Sequence, residues 1–396
     1  MTTQRCEVLI VGGARTPTGR FQGSLANIPA TELGAVVVRE AVTRARVEVG
    51  LVEEVIMGNV VSAGLGQAPA RQVALKAGLK DTINATQIGK VCGSGLKAAM
   101  FASAMIRAGD ADVMVAGGME NMNRGPYMLP NARFGYRMGT GEILDATVHD
   151  GLWCPFENWH MGRAAEFIAR ECGITREMQD EFALKSHQKA LAAMQNGKFK
   201  AEIVAVEIPA KKGTQLFETD ETPRPDTSLE ALAKLKPAFE ANGTVTAGNA
   251  PPLSDGAAAV VLVGEEIAAR EKLTPLARVV AYAQAGTDPK HIFWAPIYAV
   301  RKVLDKAGWK LGDVDLFEIN EAFSAQVLAD GKELGLDWSR VNVNGGAVAL
   351  GHPIGASGAR ILVTLLYALK DRGGKRGVAS LCLGGGEAVA MAVENM

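Results

Sequence analysis

The chain has few cysteines, and their spacing forms no familiar site. Five cysteines occur in 396 residues, with no CxxC pair and no cluster with histidine: Cys6, Cys92, Cys154, Cys172 and Cys382. An odd, scattered set argues against a disulfide framework and against a structural zinc site. Cys6 and Cys172 are typical of small buried hydrophobes, whereas the flanks of Cys92 and Cys382 need another explanation.

The sequence also lacks an excess of charge, an export signal and a long apolar run. With 42 basic and 43 acidic residues the net charge is −1, which argues against a nucleic-acid binder. Met1–Gly13 has no basic region followed by a cleavage site, and the apolar run Ile361–Leu369 is too short for a membrane span. We therefore expect a cytosolic protein whose anionic ligands are held by local groups.

Apolar segments with strand character alternate with helical patterns. The strand candidates are Cys6–Val11, Val113–Ala116, Ala257–Val263 and Val378–Leu383, and the helix candidates include Glu32–Arg46 and Ser94–Ala108. Nearly continuous apolar strands suit a sheet that is buried on both faces, and the alternation predicts an α/β fold. At this length, two or more packed units are expected.

One pattern occurs twice: a glycine-rich turn, a buried helix, a strand and a second glycine-rich turn. The first copy runs from Cys92 to Gly117-Gly118, and the second from His352 to Cys382 and glycines 384–386. A duplication would place Cys92 and His352 at matching helix N-termini near a shared dyad. We predict an N-terminal half (1–120 with 250–270), an inserted covering and tetramerisation domain (121–249) and a C-terminal half (271–396).

Cys92 precedes a glycine-rich helix start. Unpaired backbone N–H groups and the helix dipole at such a position favour a thiolate, and the glycines leave room for a substrate. A cysteine at a strand–helix turn is nevertheless more often a buried structural residue. Residues 93–98 also fit a loose dinucleotide fingerprint, although Glu120 is the one acidic partner near the expected distance.

His352 and Cys382 lie beside glycines as well. A histidine surrounded by glycine lacks the bulky neighbours of a structural histidine and suits a base that activates a nucleophile. Cys382 ends an apolar strand before three glycines, whose backbone N–H groups suit an oxyanion hole. Asn320 follows the strand Leu316–Ile319, where its amide could hold a water or an oxygen, or cap a helix.

Four segments resemble, in order, the four signatures of the thiolase family: Val91–Lys97, Asn320–Phe323, Gly351–Gly355 and Cys382–Gly386. The likeness spans essentially the whole chain and includes Gly117–Met122. It implies a five-layered αβαβα fold of two duplicated halves with an inserted loop domain. It also implies an acyltransferase that uses coenzyme A as a co-substrate, without a metal or a permanently bound cofactor.

The resemblance implies a role for each residue of the site. Cys92 would take the acyl group as a thioester after His352 activates it, and Cys382 would move the proton at the α-carbon of the second acyl-CoA. One oxyanion site would use His352 and a water held by Asn320. The other would use the backbone N–H groups of Cys92 and Gly384.

The resemblance extends to the substrate pocket and to the assembly. His160-Met161 matches the His-Met pair of short-chain, acetoacetyl-CoA-type thiolases, and Arg224 corresponds to an arginine near the adenine end of the coenzyme. Tyr127–Thr140 resembles a tetramerisation loop, so a homotetramer is expected. The positions that correspond to the pantetheine pocket are Leu152, Phe239, Ala247 and Phe323.

Two departures from the family leave the substrate open. Pro251 stands where a serine helps to hold pantetheine, and Phe293-Trp294 replaces small pocket residues. The chain could therefore be an acetyl-CoA acetyltransferase, or a degradative thiolase for a bulkier or aromatic 3-oxoacyl-CoA, with a partner subunit as an option. Cys382 argues against a decarboxylating ketosynthase, which has histidine there. Intact Cys92 and His352 argue against a non-catalytic lipid carrier.

Overall fold

The computed structural model describes residues 6–210 and 212–396, so the first five residues of the Met1–Gly13 segment lie outside the described range. Its helices are α1 (Ala30–Ala45), α2 (Pro69–Lys76), α3 (Ser94–Ala108), α4 (Met161–Cys172), α5 (Arg176–Gln195), α6 (Leu229–Ala233), α7 (Glu265–Arg270), α8 (Ala295–Ala307), α9 (Ser324–Leu334), α10 (Ala347–Leu350) and α11 (Ile354–Arg372). Shorter helical turns cover Val49–Leu51, Met122–Arg124, Thr147–Leu152, Pro289–Trp294 and Leu311–Asp313.

The long strands belong to the two halves, and most of the short ones belong to the insert. The strands are β1 (Val8–Arg15), β2 (Gly19–Arg20), β3 (Glu54–Gly58), β4 (Asn84–Ile88), β5 (Val113–Asn121), β6 (Tyr127–Met128), β7 (Leu144–Asp145), β8 (Trp153–Cys154), β9 (Trp159–His160), β10 (Val206–Pro209), β11 (Thr214–Phe217), β12 (Ser254–Gly264), β13 (Ala277–Gly286), β14 (Leu316–Ile319), β15 (Arg376–Leu383) and β16 (Glu387–Asn395).

The two halves contain sheets with the same strand order. The N-terminal sheet runs β1-β12-β5-β3-β4, and the C-terminal sheet runs β13-β16-β15-β14, with a parallel bridge from Phe317 to Val341 in place of a fifth strand. In each sheet the first two pairings are antiparallel and the following ones are parallel. The sheets join where β1 pairs with β13. This repetition confirms the predicted duplication.

Helices cover both sheets and also separate them. α1 and α2 pack on the outer face of the N-terminal sheet, and α8 packs on the outer face of the C-terminal sheet, next to α9. α3 and α11 lie between the sheets and contact strands of both. The resulting order, helix, sheet, helix, sheet, helix, confirms the predicted five-layered αβαβα fold.

The central helices α3 and α11 approach each other closely because each helix has a glycine where it contacts the other. A Cβ atom on Gly95 would lie 2.7 Å from the backbone nitrogen of Ala359, and a Cβ on Gly358 would overlap the backbone of Leu96. Cys92 stands two residues before α3, and His352 stands two residues before α11. The close approach of the helices therefore brings their chemically active starts together.

Gly117 and Gly118 do not form the turn that the repeat pattern predicts. Both lie inside β5, which continues through Glu120 to Asn121 and pairs with β12 along this whole length. A Cβ on Gly118 would overlap the carbonyl oxygen of Gly355 at the start of α11. The glycines thus allow two backbones to pack closely, and this requirement explains their presence without a turn.

The insert supplies short strands and three helices, α4 to α6, between β5 and β12. Helix α5 covers Arg176–Gln195, with the Thr175 hydroxyl accepting from the Met178 backbone N–H at its N-terminus. The exact limits of the predicted domains stay a prediction. Within residues 6–210 and 212–396, no helix combines the length and the apolar character that a membrane crossing requires.

Candidate active site

A cavity of about 410 Å³ lies where α3, α11 and the insert meet. Cys92, His352, Cys382 and Gly384 line it from the two halves. All of the predicted substrate-binding residues line the same cavity: Leu152, His160, Met161, Arg224, Phe239, Ala247 and Phe323. Segments far apart in the chain therefore contribute to one mostly apolar pocket with a few polar groups, as expected for a binding site.

Cys92 sits in a tight turn before α3. The hydroxyl of Ser94 accepts from the backbone N–H of Lys90 at 2.8 Å and donates to the carbonyl of Val91 at 2.7 Å, which fixes this turn. Burial raises the pKa of the Cys92 thiol to about 12, and the nearby Glu120 carboxylate adds to the effect. Hydrogen bonds from the backbone N–H groups of Cys92 and Gly384 act in the opposite direction but do not outweigh burial.

The expectation that the helix start makes Cys92 a thiolate is therefore wrong for this structure. Removing water from around the sulfur raises the free energy of the thiolate by more than the helix dipole and the two N–H groups lower it. The thiol is protonated at neutral pH, so a base must remove its proton when it reacts. The same N–H groups, from Cys92 and Gly384, remain available to an oxyanion beside the sulfur.

His352 is held from its backbone and from its ring. Its backbone N–H donates to the Ser254 hydroxyl at 3.2 Å, and Nδ1 lies 2.6 Å from the Ser357 hydroxyl. Ser357 donates its own proton to the carbonyl of Pro353 at 2.8 Å, so Nδ1 must carry the ring proton and Nε2 keeps a free lone pair. Burial, followed by the positive charge of Arg360, lowers the pKa of His352 to about 3. The imidazole is a neutral base.

Cys382 is the last residue but one of β15 and is 1% exposed. Burial raises the pKa of its thiol well above the ordinary value, and the interaction with the Cys92 sulfur adds to the effect. Each sulfur therefore opposes ionisation of the other. The site contains two protonated thiols and one neutral imidazole, an arrangement in which a proton can move between neighbours without creating isolated buried charge.

Asn320 lies behind the cavity wall, 1% exposed. Its backbone N–H donates to the carbonyl of Ser380 at 3.0 Å, and its side-chain Nδ2 lies 3.4 Å from Nδ1 of His352. It does not cap a helix, because α9 begins only at Ser324, with Phe323 as the residue before it. Of the two roles open for Asn320, capping is therefore excluded, and the amide stays available near the imidazole.

Glu120 belongs to the site, although we did not predict it as a site residue. Its carboxylate is fully buried and accepts from the backbone N–H groups of Gly355 at 2.9 Å, Val60 at 3.0 Å and Val61 at 3.2 Å, as well as from the Asn59 amide at 2.7 Å. Burial raises the pKa of Glu120 to about 7. The carboxylate joins β5 to the start of α11, next to His352. Its signal in the sequence was a single acidic residue in an apolar strand.

The insert forms the opposite wall of the cavity. His160 Nδ1 accepts from the Gly162 backbone N–H at 3.0 Å at the start of α4, and its ring stacks on Phe239 at 4.8 Å. Burial lowers the pKa of His160, so its Nε2 carries the proton and can donate. On the next turn of α4, buried Glu166 accepts from the backbone N–H groups of Thr244 at 2.9 Å and Val245 at 2.8 Å. This contact holds the loop that carries Ala247.

The structure separates the residues that depart from the family pattern. Pro251 lines the cavity, and so does Phe293, which is 2% exposed with its ring 5.6 Å from that of Phe323. Trp294 does not line it. The indole stacks instead on His291 at 5.2 Å, because successive residues of this helical turn point to different sides. The expectation that Trp294 shapes the pocket is therefore wrong.

Among residues 6–210 and 212–396, no group of three or more His, Cys, Asp and Glu side chains is placed to hold a metal ion. The residues of the cavity are instead a thiol pair, an imidazole and backbone N–H groups. Such a set suits nucleophilic and acid–base chemistry on a carbonyl compound.

Comparisons with known proteins agree with this geometry. Residues 8–266 match the family described as "Thiolase, N-terminal domain", and residues 273–395 match "Thiolase, C-terminal domain". The chain is 55% identical over 386 residues to an acetyl-CoA acetyltransferase of Pseudomonas aeruginosa, covering 97% of this chain and 98% of the relative. It is 53% identical over 389 residues to an acetyl-CoA acetyltransferase of Escherichia coli, covering 98% and 99%.

A solved structure shares the fold over nearly the whole length. The crystal structure of the Bacillus anthracis acetyl-CoA acetyltransferase superposes with a TM-score of 0.97 at 47% identity, covering 99% of both chains. The two family matches together extend from β1 to β16. The chain therefore belongs to the thiolase family and is an acyltransferase.

Proposed function

We propose that the chain is an acetyl-CoA acetyltransferase that cleaves acetoacetyl-CoA with coenzyme A and, in reverse, condenses two molecules of acetyl-CoA. The observation that carries the proposal is the meeting of Cys92, His352 and Cys382 in one cavity, with the His352 Nε2 lone pair free. A Claisen reaction needs a nucleophile, a base to activate it and a second acid–base group, and these residues can fill those roles.

In the condensation direction, the first half-reaction loads Cys92. His352 Nε2 accepts the thiol proton as the Cys92 sulfur attacks the carbonyl carbon of acetyl-CoA. The bond between that carbon and the coenzyme A sulfur then breaks, and the proton passes to the leaving thiolate. The backbone N–H groups of Cys92 and Gly384 support this proposal, because they can stabilise the oxyanion of the tetrahedral intermediate.

The second half-reaction forms the carbon–carbon bond. Cys382 gives its thiol proton to His352 Nε2, and its thiolate then takes a proton from the α-carbon of a second acetyl-CoA. The resulting carbanion attacks the acetyl group on Cys92, the carbon–sulfur bond to Cys92 breaks, the proton on His352 passes to the Cys92 sulfur, and acetoacetyl-CoA leaves. Before that last transfer, the protonated Nε2 of His352 and a water held by Asn320 would stabilise the enolate oxygen, since Nδ2 of Asn320 lies beside the imidazole.

The size and lining of the cavity support a short acyl group. Phe293 and Phe323 occupy space beside Cys382, and Met161 closes the insert side. The relatives named above are acetyl-CoA acetyltransferases, which agrees with this reading. A substrate panel tests it: thiolysis rates with 3-oxoacyl-CoA esters from acetoacetyl to branched and aromatic should be highest for acetoacetyl-CoA. A higher rate with the bulky esters would reject the proposed substrate.

The second candidate is a degradative thiolase for a bulkier or aromatic 3-oxoacyl-CoA. Its support is the aromatic wall that Phe239, Phe293 and Phe323 form, with the Phe239 and Phe323 rings 6.2 Å apart. Pro251, which lacks a hydrogen-bond donor, adds to the apolar lining. The same panel distinguishes the two candidates. We favour the short-chain substrate, because these rings fill the pocket and leave little room beside Cys382.

Assembly and location stay predictions of the same proposal. The segment Tyr127–Thr140 exposes large apolar side chains, among them Phe134 at 85% and Met138 at 100%. Exposed apolar side chains of this kind are typical of a surface that another chain covers. They support the expected homotetramer. A cytosolic location stays an expectation from the sequence.

A further inference from the structure

Arg360 is a buried cation next to the active site that the reaction described above does not use. It lies on α11, 4% exposed, on the same helix that begins beside His352. Its Nη2 donates to Oδ1 of Asn320 at 3.3 Å, and its Nη1 lies 3.6 Å from the Glu318 carboxylate. An arginine is costly to bury, so these contacts call for a functional explanation.

The contact with Arg360 determines how the amide of Asn320 is oriented. A guanidinium has donors only, so the amide atom facing it must be the oxygen. The amide nitrogen is then directed to the other side, where Nδ2 lies 3.4 Å from His352 Nδ1. Because Nδ1 already donates to Ser357, the amide N–H groups are not consumed by the imidazole. They remain available for a water or an oxygen of the substrate.

We propose that Arg360 is a positioning residue for Asn320, which holds the amide with its N–H groups toward the imidazole side of the active site. The inference rests on the proposed function, because the amide donor matters for the enolate of the condensation step. Without Arg360, the amide can rotate by half a turn about its last bond. Its oxygen would then face the water that contacts the enolate oxygen and would compete for the proton of that water.

The neighbouring charges explain why this cation is tolerated. Glu318, 2% exposed, faces Arg360, and its carboxyl group lies 3.6 Å from Nη1. Arg15 and Glu202 form a further ion pair at 2.5 Å in the same interior, and Glu202 also accepts from Thr364 on α11 at 3.2 Å. The contacts with Asn320 and Glu318 restrict the Arg360 side chain, which a residue that orients another side chain requires.

The test separates the two half-reactions. Arg360→Met removes the donor, Arg360→Lys keeps a cation and a donor, and Asn320→Ala removes the oriented amide. Acetylation of Cys92 by acetyl-CoA should proceed at near the wild-type rate in all three variants, because it uses the N–H groups of Cys92 and Gly384. The kcat of condensation should fall by about 10- to 100-fold in Arg360→Met, as is usual for residues that orient a catalytic group. Arg360→Lys should recover part of the loss.

Combining the variants tests the link between the residues. In an Asn320→Ala background, Arg360→Met should lower kcat by less than about twofold further, because the group it orients is gone. Effects of the two changes that multiply would overturn the proposal. An equal fall in the rates of acetylation and condensation in Arg360→Met would also overturn the proposal, since that result would indicate a general structural role for Arg360. Arg107→Gln is the matched control, because Arg107 lies on α3 and contacts Val279 and Tyr282, away from the cavity.

Two further experiments allow the role of Arg360 to be decided if a variant fails to fold or if the protein lacks the proposed activity. Arg360→Met leaves Glu318 without its cation, so the Glu318→Gln/Arg360→Met double variant is measured beside it in case the single variant does not fold. A crystal structure of the variant that folds should show the Asn320 amide rotated or displaced, and an unchanged amide would contradict the proposal. Because this measurement needs no activity, it decides the role of Arg360 even if the wild-type protein fails to cleave acetoacetyl-CoA, a result that would reject the proposed function.

Discussion

Cys92 and His352 are both uncharged at neutral pH, and this protonation state has a measurable consequence. Burial raises the pKa of the thiol to about 12 and lowers that of the imidazole to about 3. A group whose pKa is raised loses its proton only as the pH approaches that value. The reactive thiolate of Cys92 is therefore a small fraction at neutral pH, and it increases as the pH rises.

The rate at which iodoacetamide alkylates Cys92 should accordingly rise by about tenfold per pH unit between about pH 7 and pH 10. Peptide mass spectrometry follows Cys92 separately from the other cysteines, and acetyl-CoA should protect it. The Cys92→Ser variant supplies the background. A rate that stays level from pH 6 to pH 8 would contradict this account, because it would indicate a preformed thiolate–imidazolium pair.

Cys382 gives the second residue-scale prediction. Cys382→Ser should still form the acetyl-enzyme on Cys92, because the nucleophile and its base are intact. Condensation should fall by roughly 10²- to 10⁴-fold, the usual contribution of an acid–base group, since a serine hydroxyl is a far weaker acid than a thiol. Stopped-flow measurement of the two steps checks this result. Normal turnover in the variant would remove Cys382 from the reaction.

The residues that the sequence analysis missed have one feature in common. Glu120 is the one charged residue of β5, and Arg360 is the one charged residue of α11 before its last turn. Such a charge must have a partner when the element is buried. The partner could not be predicted, because Glu120 meets Gly355 and Arg360 meets Asn320 only after the two halves pack together.

At the scale of single elements, the helical turn Pro289–Trp294 places Phe293 in the wall of the cavity, where we propose that it limits the length of the acyl group. Phe293→Ala should therefore increase thiolysis of 3-oxoacyl-CoA esters with longer acyl chains relative to acetoacetyl-CoA. It should also lower the free energy of unfolding by about 3 kcal/mol, as removing a buried phenylalanine ring usually does. Relative kcat/KM values across the substrate panel and urea unfolding measure the two effects.

The adjacent residue is the matched control. Trp294 stacks on His291 outside the cavity, so Trp294→Ala should lower stability and leave the order of substrate preference unchanged. A change in that order for Trp294→Ala, or none for Phe293→Ala, would contradict the assignment of this wall. The sequence alone could not separate the two residues, since both are large aromatic side chains at consecutive positions.

Several elements could be predicted closely from local pattern. Ser94–Ala108 was predicted as a helix ending before Gly109, and α3 has these bounds with Gly109 in the left-handed conformation. β14 likewise has the predicted bounds Leu316–Ile319. β5 was predicted too short, because Gly117-Gly118 has the composition of a turn. Only the approach of α11 to this strand explains why glycine is needed there.

At the scale of the whole molecule, the order of motifs along the chain made the fold predictable and indicated the candidate catalytic residues. Four segments separated by long stretches converge on one cavity, because the duplicated topology brings the starts of α3 and α11 together. The repeat pattern predicts that Cys92 and His352 lie near each other, whereas the convergence of the other segments could be expected only from the resemblance to the thiolase family. The hydrogen bonds behind the cavity depend on packing between halves, which no local pattern encodes.

The exposed apolar segment Tyr127–Thr140 gives a prediction for the assembly. The wild-type protein should behave as a tetramer in light scattering, and Phe134→Glu should reduce the assembled mass, because a charge on this surface is costly to bury against another chain. Arg133→Glu, next to it in the same loop, controls for a change of charge alone. A monomeric wild-type protein, or an unchanged tetramer in Phe134→Glu, would contradict the role of this segment.

The most direct test of the proposed mechanism is the mass of the intact protein after mixing with acetyl-CoA. The account predicts a gain of one acetyl group per chain in the wild-type protein and in Cys382→Ser, carried by the peptide that contains Cys92. It predicts no gain in Cys92→Ser. An acetyl group that persists in Cys92→Ser, or that maps to another residue in the wild-type protein, would contradict the assignment of Cys92 as the nucleophile.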